Sequence, residues 1–324
     1  MRTTQWHLKN TGQVGDFGYA GTPGADIGAE IAWATTRGAG SRIAIIDTGF
    51  DVRHPDLAAA VEGHSGFFRQ DANGCPVFVQ GLSDYPVPAD SHGTFCAGLA
   101  AGRAGVANEA GLIALACFRD HLGTQETLAR AIAYAAAGEA DVISCSLGAN
   151  RRDGVWPMMP VLRDAIDFAV NKGRGGRGTP VFWAVNDHPV PIAADEVLSY
   201  PSVIAVGKSN RLDQVDPSAF GPELDFLATG SDLHSAFKDG AFGNSTGTSF
   251  AAPVAAGVAA LVLSVCPELT WREVRKILRD TCDKIGGPDV VYDANGHNQY
   301  YGFGRVSAAR AVRQAVALSV DRAR

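Results

Sequence analysis

Arg42-Ile43-Ala44-Ile45-Ile46-Asp47-Thr48-Gly49 is the stretch that sets the fold class. A short β-branched apolar run that stops at a carboxylate and a glycine turn reads as a strand covered on both faces. The same shape recurs at Leu112 to Phe118, Val142 to Ser146, Val181 to Val185 and Val203 to Val206. Helical patterns lie between and after them, at Thr124 to Gly138, Val161 to Lys172 and Thr248 to Val265. Short apolar strands alternating with longer helices predict an α/β fold in three layers, a mostly parallel central sheet with helices on both faces. Residues 1–40, rich in Gly and Thr with a helical patch near Ala25 to Thr36, read as a lead-in packed on the domain. No repeat or linker divides residues 41–324, which read as one unit.

Composition narrows the function classes. The chain has 324 residues, 46% of them hydrophobic and 19% charged, enough to bury a large core and unlike a disordered tail or a fibre. The 28 Lys and Arg against 34 Asp and Glu leave a net charge of −6, which argues against a nucleic-acid partner. No apolar run reaches the ~20 residues that span a bilayer, so no membrane partner is expected. Met1-Arg2-Thr3-Thr4-Gln5-Trp6 does not lead into the apolar stretch of a signal peptide. The expected location is cytoplasmic if the chain is complete and extracellular if it is a mature fragment.

Six cysteines are too sparse for a disulfide framework in a chain of this length. Cys96, Cys117 and Cys145 sit in apolar runs and read as buried thiols, whereas Cys266 and Cys282 are the pair best placed to bond if any does. No C-x-x-C or H-E-x-x-H signals zinc. Gly173-Arg174-Gly175-Gly176-Arg177-Gly178 matches G-x-G-x-x-G, but it follows a helix and precedes a strand, the reverse of a dinucleotide loop, and reads as a surface turn.

In an open parallel sheet, ligands gather beyond the carboxyl ends of the strands. Asp47, Ser146-Leu147-Gly148 and Asn186 all fall at such ends. In Asp90-Ser91-His92-Gly93-Thr94-Phe95-Cys96-Ala97-Gly98, Ser91 is expected to cap a small-residue helix whose first turn carries His92. The amide end of that helix disfavours imidazolium. In Gly247-Thr248-Ser249-Phe250-Ala251-Ala252-Pro253, Thr248 is expected to cap and Ser249 to open a long helix, its hydroxyl beside free N–H groups suited to an oxyanion. Pro253 has no N–H for the carbonyl of Ser249, so the first turn stays partly open.

Asp47-Thr48-Gly49, His92-Gly93-Thr94 and Gly247-Thr248-Ser249-Phe250-Ala251-Ala252-Pro253 resemble the three catalytic motifs of the subtilisin-like serine proteases, in that family's order. Tyr200 to Gly207 and Tyr301 to Val306 extend the resemblance, which runs from about Gln5 to about Val312. It implies a serine endopeptidase with Ser249 as nucleophile, His92 as general base and acid, Asp47 as the group that orients the imidazole, and Asn186 as an oxyanion donor. It also implies an extended peptide or protein substrate paired with backbone at Ser146, Leu147 and Gly148 and bounded by Ala184 and Val185. A prodomain or inhibitor is a further partner it allows.

Departures from that family pattern carry their own expectations. Val185 stands where a glycine usually precedes the oxyanion asparagine, so the S1 pocket is expected to be narrowed or reshaped. Gln5-Trp6-His7-Leu8 and Cys96 resemble the kexin-like branch, yet Ala149-Asn150-Arg151-Arg152 supplies no acidic S1 and S2 groups, and dibasic cleavage is not expected. Cys96 is expected to pack under His92, which would make the enzyme sensitive to mercurials. The chemistry requires no cofactor. Structural calcium has a family position at Asp56, but Gly102 to Asn108 offers few oxygen ligands beyond Asn108, so calcium there is disfavoured and calcium elsewhere stays open. The alternatives are a dedicated maturation or transpeptidation enzyme and a non-catalytic peptide-binding module.

Overall fold

In β1 (Arg42–Asp47), Ile43 and Ile45 point to one side of the sheet and Ala44 and Ile46 to the other, and all four are buried. Both faces are therefore covered, as the unbroken apolar run requires. The computed structural model describes residues 4–16, 18–71, 73, 75–81, 91–117, 123–148, 156–322 and 324. After α1 (Ala29–Trp33) and β1, the order is β2 (Gly66–Gln70), β3 (Pro76–Gln80), α2 (His92–Ala101), β4 (Gly111–Ala116), α3 (Gln125–Ala137) and β5 (Val142–Cys145). Then follow α4 (Pro160–Lys172), β6 (Val181–Ala184), β7 (Val203–Ser209), β8 (Leu224–Thr229), β9 (Leu233–Ala236), β10 (Phe242–Ser245), α5 (Thr248–Val265), α6 (Trp271–Asp280) and α7 (Ala308–Arg322).

Eight strands form one sheet in the order β3-β2-β4-β1-β5-β6-β7-β8, parallel except for β3, while β9 and β10 make a separate hairpin. One core joins α2 and α5 to the sheet face carrying Ile43, Ile45, Phe182 and Ile204. The other joins α3 and α4 to the face carrying Ile46, Ile143, Val181 and Trp183. The lead-in contributes directly to the first core: Trp6, Leu8 and Ile27 are buried in it, and the Trp6 indole N–H donates to the Asp232 carbonyl at 2.8 Å.

α5 is apolar and long enough to cross a membrane, yet 83% of it is buried inside the protein, where it is the central helix of the first core. Its small residues permit close packing. A Cβ on Gly257 would lie 2.7 Å from Val106 Cβ and 3.2 Å from the Ala100 carbonyl, so a larger residue there would push α5 away from α2 and the segment that follows it.

The element boundaries follow local chemistry. Thr124 caps α3 by accepting from the Thr127 N–H, and Thr270 forms a reciprocal capping box with Glu273 on α6. The glycine run after α4 is a turn fastened by the Arg174 guanidinium, which donates to the carbonyls of Gly178 and Leu269. All six cysteines are free: Cys266 and Cys282 do not bond each other, and the Cys282 thiol donates to the Leu278 carbonyl one turn back. Phe118 and Ala149 to Arg152 lie outside the described residues, as does Asp90.

Candidate active site

β1, β5 and β6 are neighbours, so their carboxyl ends bring Asp47, Ser146 and Asn186 to one edge of the sheet. Asp47 is the last residue of β1 and is 0% exposed. Its Oδ1 accepts from the Thr48 N–H at 2.7 Å, the Thr48 hydroxyl at 3.2 Å and His92 Nδ1 at 2.7 Å. Its Oδ2 meets no donor among the described residues. A carboxylate so placed needs a positive or proton-sharing neighbour, and His92 is that neighbour.

His92 is the first residue of α2 and remains 29% exposed, so one edge of the ring can meet a ligand. Gly93 makes the approach to Asp47 feasible: a Cβ there would lie 2.3 Å from the Gly49 carbonyl and 3.1 Å from Asp47 Cβ. Burial works against an imidazolium, but the Asp47 charge, Cys96 and the hydrogen bond to Asp47 outweigh it and raise the His92 pKa above its ordinary value. The Asp47 carboxylate thus opposes the helix amide end, which the sequence suggested would keep the ring neutral. Ser91 does not cap α2 as expected; its hydroxyl accepts from the Lys238 N–H instead.

Cys96 lies one helical turn below, its sulfur 4.0 Å from His92 Nδ1 and donating to the Ser249 carbonyl at 3.3 Å. Burial pushes its thiol up to about 11, with the Asp47 charge adding to the effect. It thus stays protonated near neutral pH and packs beneath His92, where the sequence put it. Asp47, His92 and Cys96 offer ligand atoms within 4.8 Å of one another.

Ser249 is the second residue of α5, with Gly247 at the N-cap and Thr248 already helical. The expected Thr248 cap is not formed. Thr248 Oγ1 donates to the Val185 carbonyl at 2.5 Å, and its N–H donates to Asp187 Oδ1 at 2.9 Å. The carbonyl of Ser249, left without a helical partner by Pro253, accepts from the Ser146 hydroxyl at 2.6 Å as well as from Cys96. Ser146 thus fastens the helix start with its side chain. Asn186, just past β6, accepts the His188 N–H on Oδ1 at 2.9 Å and the Ala219 N–H on its backbone carbonyl at 2.8 Å. The amide oxygen is spoken for, and its NH₂ end is the part suited to another acceptor.

A cleft of about 260 Å³ gathers Ser146, Leu147, Gly148, Ala184, Val185, Asn186 and Ser249 along its walls. Val185 is 2% exposed and shares a sheet face with Trp183. Sequence reasoning missed Trp156, Trp183, Asp187 and Glu196, which also line it. Asp187 had a signal, a charge directly after a strand-end asparagine. Trp156 and Glu196 had none, because neither belongs to a motif or stands at the end of an apolar run.

At Asp56 the side chains offer a hard cation an incomplete set of oxygens. Its carboxylate presses on Gly102, where a Cβ would be 2.3 Å from Oδ2, and the Gln5 amide nitrogen donates to the Ala104 carbonyl at 2.8 Å. Asn108 Oδ1 is buried with no partner among the described residues, and together with the Asp56 carboxylate it falls short of the six to eight oxygens calcium takes.

The subtilase family profile (peptidase S8) matches residues 38–304. A calcium-dependent protease of Trichormus variabilis is 34% identical over 358 residues, which cover 96% of this chain and 51% of that protein. The chain thus spans about half the length of that relative and of its Nostoc counterpart. Thermitase of Thermoactinomyces vulgaris is 32% identical over 296 residues, 89% of this chain and 94% of thermitase. Among solved structures, a protease of Pseudoalteromonas arctica aligns with a TM-score of 0.74 and 25% identity over 96% of this chain and 97% of its own. The Aeromonas sobria serine protease, solved with its chaperone, shares the fold at a TM-score of 0.78 and 21% identity, over 98% of this chain and 66% of its own.

The pairing of His92 with Asp47 has a direct spectroscopic consequence. Imidazole NMR is expected to show His92 titrating above the ordinary range of about 6.5. In Asp47→Asn that titration should fall by about one to three units, the usual influence of an adjacent opposite charge. An unchanged titration would mean that the carboxylate does not control the ring.

Proposed function

The chain belongs to the subtilase family, and from that premise we propose that it is a serine endopeptidase working through an acyl-enzyme on Ser249. The observation that carries this reading is the hydrogen bond of His92 to the buried Asp47, set against the helix start that bears Ser249, with Cys96 of the His92 helix reaching the Ser249 carbonyl. With Nδ1 committed to Asp47, Nε2 is the ring nitrogen that takes the proton of the Ser249 hydroxyl as the oxygen attacks the scissile carbonyl. Asp47 holds that tautomer and stabilises the imidazolium. The carbonyl oxygen becomes an oxyanion between the Ser249 N–H, one of the unpaired donors of the first helical turn, and the Asn186 NH₂. His92 then returns the proton to the leaving amine, and water repeats the sequence to release the acid product. Every step uses this chain's own residues.

An extended peptide fits the edge after β5. The Leu147 carbonyl is turned inward to accept the Trp183 indole N–H. Alternate residues of an extended chain face opposite ways, which gives Ser146 and Gly148 to a paired substrate strand. A prodomain or inhibitor would occupy the same edge. In this reading Val185 forms a wall of the S1 pocket together with Trp183. Calcium would be structural, and the short set of oxygens at Asp56 favours a position elsewhere.

Three measurements test these points. A fluorophosphonate probe near pH 8 should label the wild type and not Ser249→Ala, with digestion of a denatured protein lost in parallel; absence of labelling in the wild type would defeat the reading. Val185→Gly should raise kcat/KM for a Phe P1 substrate relative to an Ala P1 substrate by roughly 10-fold, the scale of one or two methylenes in a pocket. An unchanged ratio would remove Val185 from the S1 wall. Finally, any calcium-dependent rise in Tm, read by calorimetry with and without chelator, should be equal in wild type and Asp56→Asn, and a rise lost in the variant would place the ion at Asp56.

A further inference from the structure

Lys208 is a cation inside a buried strand. It lies on β7, every residue of which is buried, and its side chain is 5% exposed. The aliphatic stem runs against Gly230, where a Cβ would be 2.5 Å from Lys208 Cβ, and the Gly230 carbonyl accepts the Gly247 N–H at 2.9 Å. The ammonium group donates to Asp187 Oδ1 at 2.6 Å and to the Pro217 carbonyl. Burying a lysine is costly unless it is paired, so the position needs an explanation beyond packing.

The same Asp187 Oδ1 accepts the Thr248 N–H at 2.9 Å. Asp187 directly follows Asn186 and Thr248 directly precedes Ser249, so one carboxylate oxygen lies between the neighbours of the two proposed oxyanion donors. On the other flank of Asn186, Thr248 Oγ1 is bonded to the Val185 carbonyl. The loop that accepts Lys208 at Pro217 also holds Asn186, since the Ala219 N–H donates to the Asn186 carbonyl and Ser218 Oγ accepts the Lys208 N–H at 3.2 Å.

We propose that Asp187 and Lys208 are positioning residues that fix the separation of Asn186 from the Ser249 N–H and balance the charge beside the oxyanion hole. This rests on the endopeptidase reading above. The two members have distinct tasks. Asp187 fastens the loop to the nucleophile helix, but its negative charge, on a side chain 48% exposed, opposes the charge that grows on the tetrahedral oxygen. Lys208 cancels that charge from the buried side and braces the loop.

The test is a double-mutant cycle on the full chain, with turnover normalised to sites titratable by a fluorophosphonate and with Tm measured for each variant. Lys208→Met should lower kcat by about 10- to 100-fold with KM changed by less than about threefold, because the exposed charge acts on the transition state. Adding Asp187→Asn, which keeps an acceptor oxygen for the Thr248 N–H and removes the charge, should restore most of that loss. A purely structural role predicts instead that kcat follows Tm across the four variants, since removing both members of an ion pair also relieves the uncompensated charge in the fold. Either that result, or a loss confined to KM, would overturn the proposal. Amide exchange of Thr248 gives an arm independent of turnover: protection should persist in Asp187→Asn and be lost in Asp187→Ala, and equal exchange in the two would overturn the tie. Failure of the wild type to label at Ser249 would defeat the endopeptidase reading instead, and the exchange arm would still judge the tie.

Discussion

A carboxylate with no exposure to water, as at Asp47, is the constraint on which the rest of this structure depends. Such a charge is tolerated only where donors face it, and here they are the turn immediately after β1 and one imidazole. Meeting that demand dictates neighbouring features. The residue after His92 must be small enough for α2 to approach the end of β1, and Gly93 is. The ring must sit in the first turn of α2, because deeper in the helix it would be walled off from solvent and from any ligand. Cys96, a turn later, then falls beneath the ring and against the start of α5.

α5 meets the site through a second constraint of equal simplicity. A helix begins with unpaired N–H groups, and a proline at its fifth or sixth position frees a carbonyl as well. In this chain Pro253 frees the carbonyl of Ser249, and two donors from different elements, Ser146 after β5 and Cys96 on α2, converge on it. The backbone defect becomes the point where three elements are joined. Ser249 is therefore held by its main chain while its side chain is left for chemistry, an arrangement that fixes the nucleophile without consuming it.

Much of this was legible in the sequence because the signals are local. An apolar run ending in a polar residue marks a buried strand and its carboxyl end, and β1, β5 and β6 were placed within a residue or two for that reason. α5 was placed at both ends, since glycine before it and the change in composition after it are sharp. The strands β2, β3 and β8 to β10 were missed: they are short, mixed in polarity, or, like Phe242 to Ser245, half-buried, and carry no clear period. Capping was misread at Ser91 and Thr248 because a hydroxyl at a helix start has several acceptors and donors in reach. Only the three-dimensional arrangement shows that Val185 and Lys238 outcompete the helix's own backbone.

The pairs that span distant segments are the ones no reading of single motifs could recover. Lys208 and Asp187 are 21 residues apart, on elements whose adjacency follows from sheet order rather than from sequence. A lysine within Val203-Ile204-Ala205-Val206-Gly207-Lys208-Ser209 is nevertheless conspicuous once it is asked where its charge can go. β7 lies beside β6, so a side chain at the carboxyl end of β7 comes out beside the loop that follows β6, which is where Asn186 and Asp187 stand. The charge of the lysine and the site at the strand ends are thus linked by the geometry of a parallel sheet. In such a sheet a buried cation near the carboxyl edge is better explained by the electrostatics of that edge than by the packing of the strand that carries it.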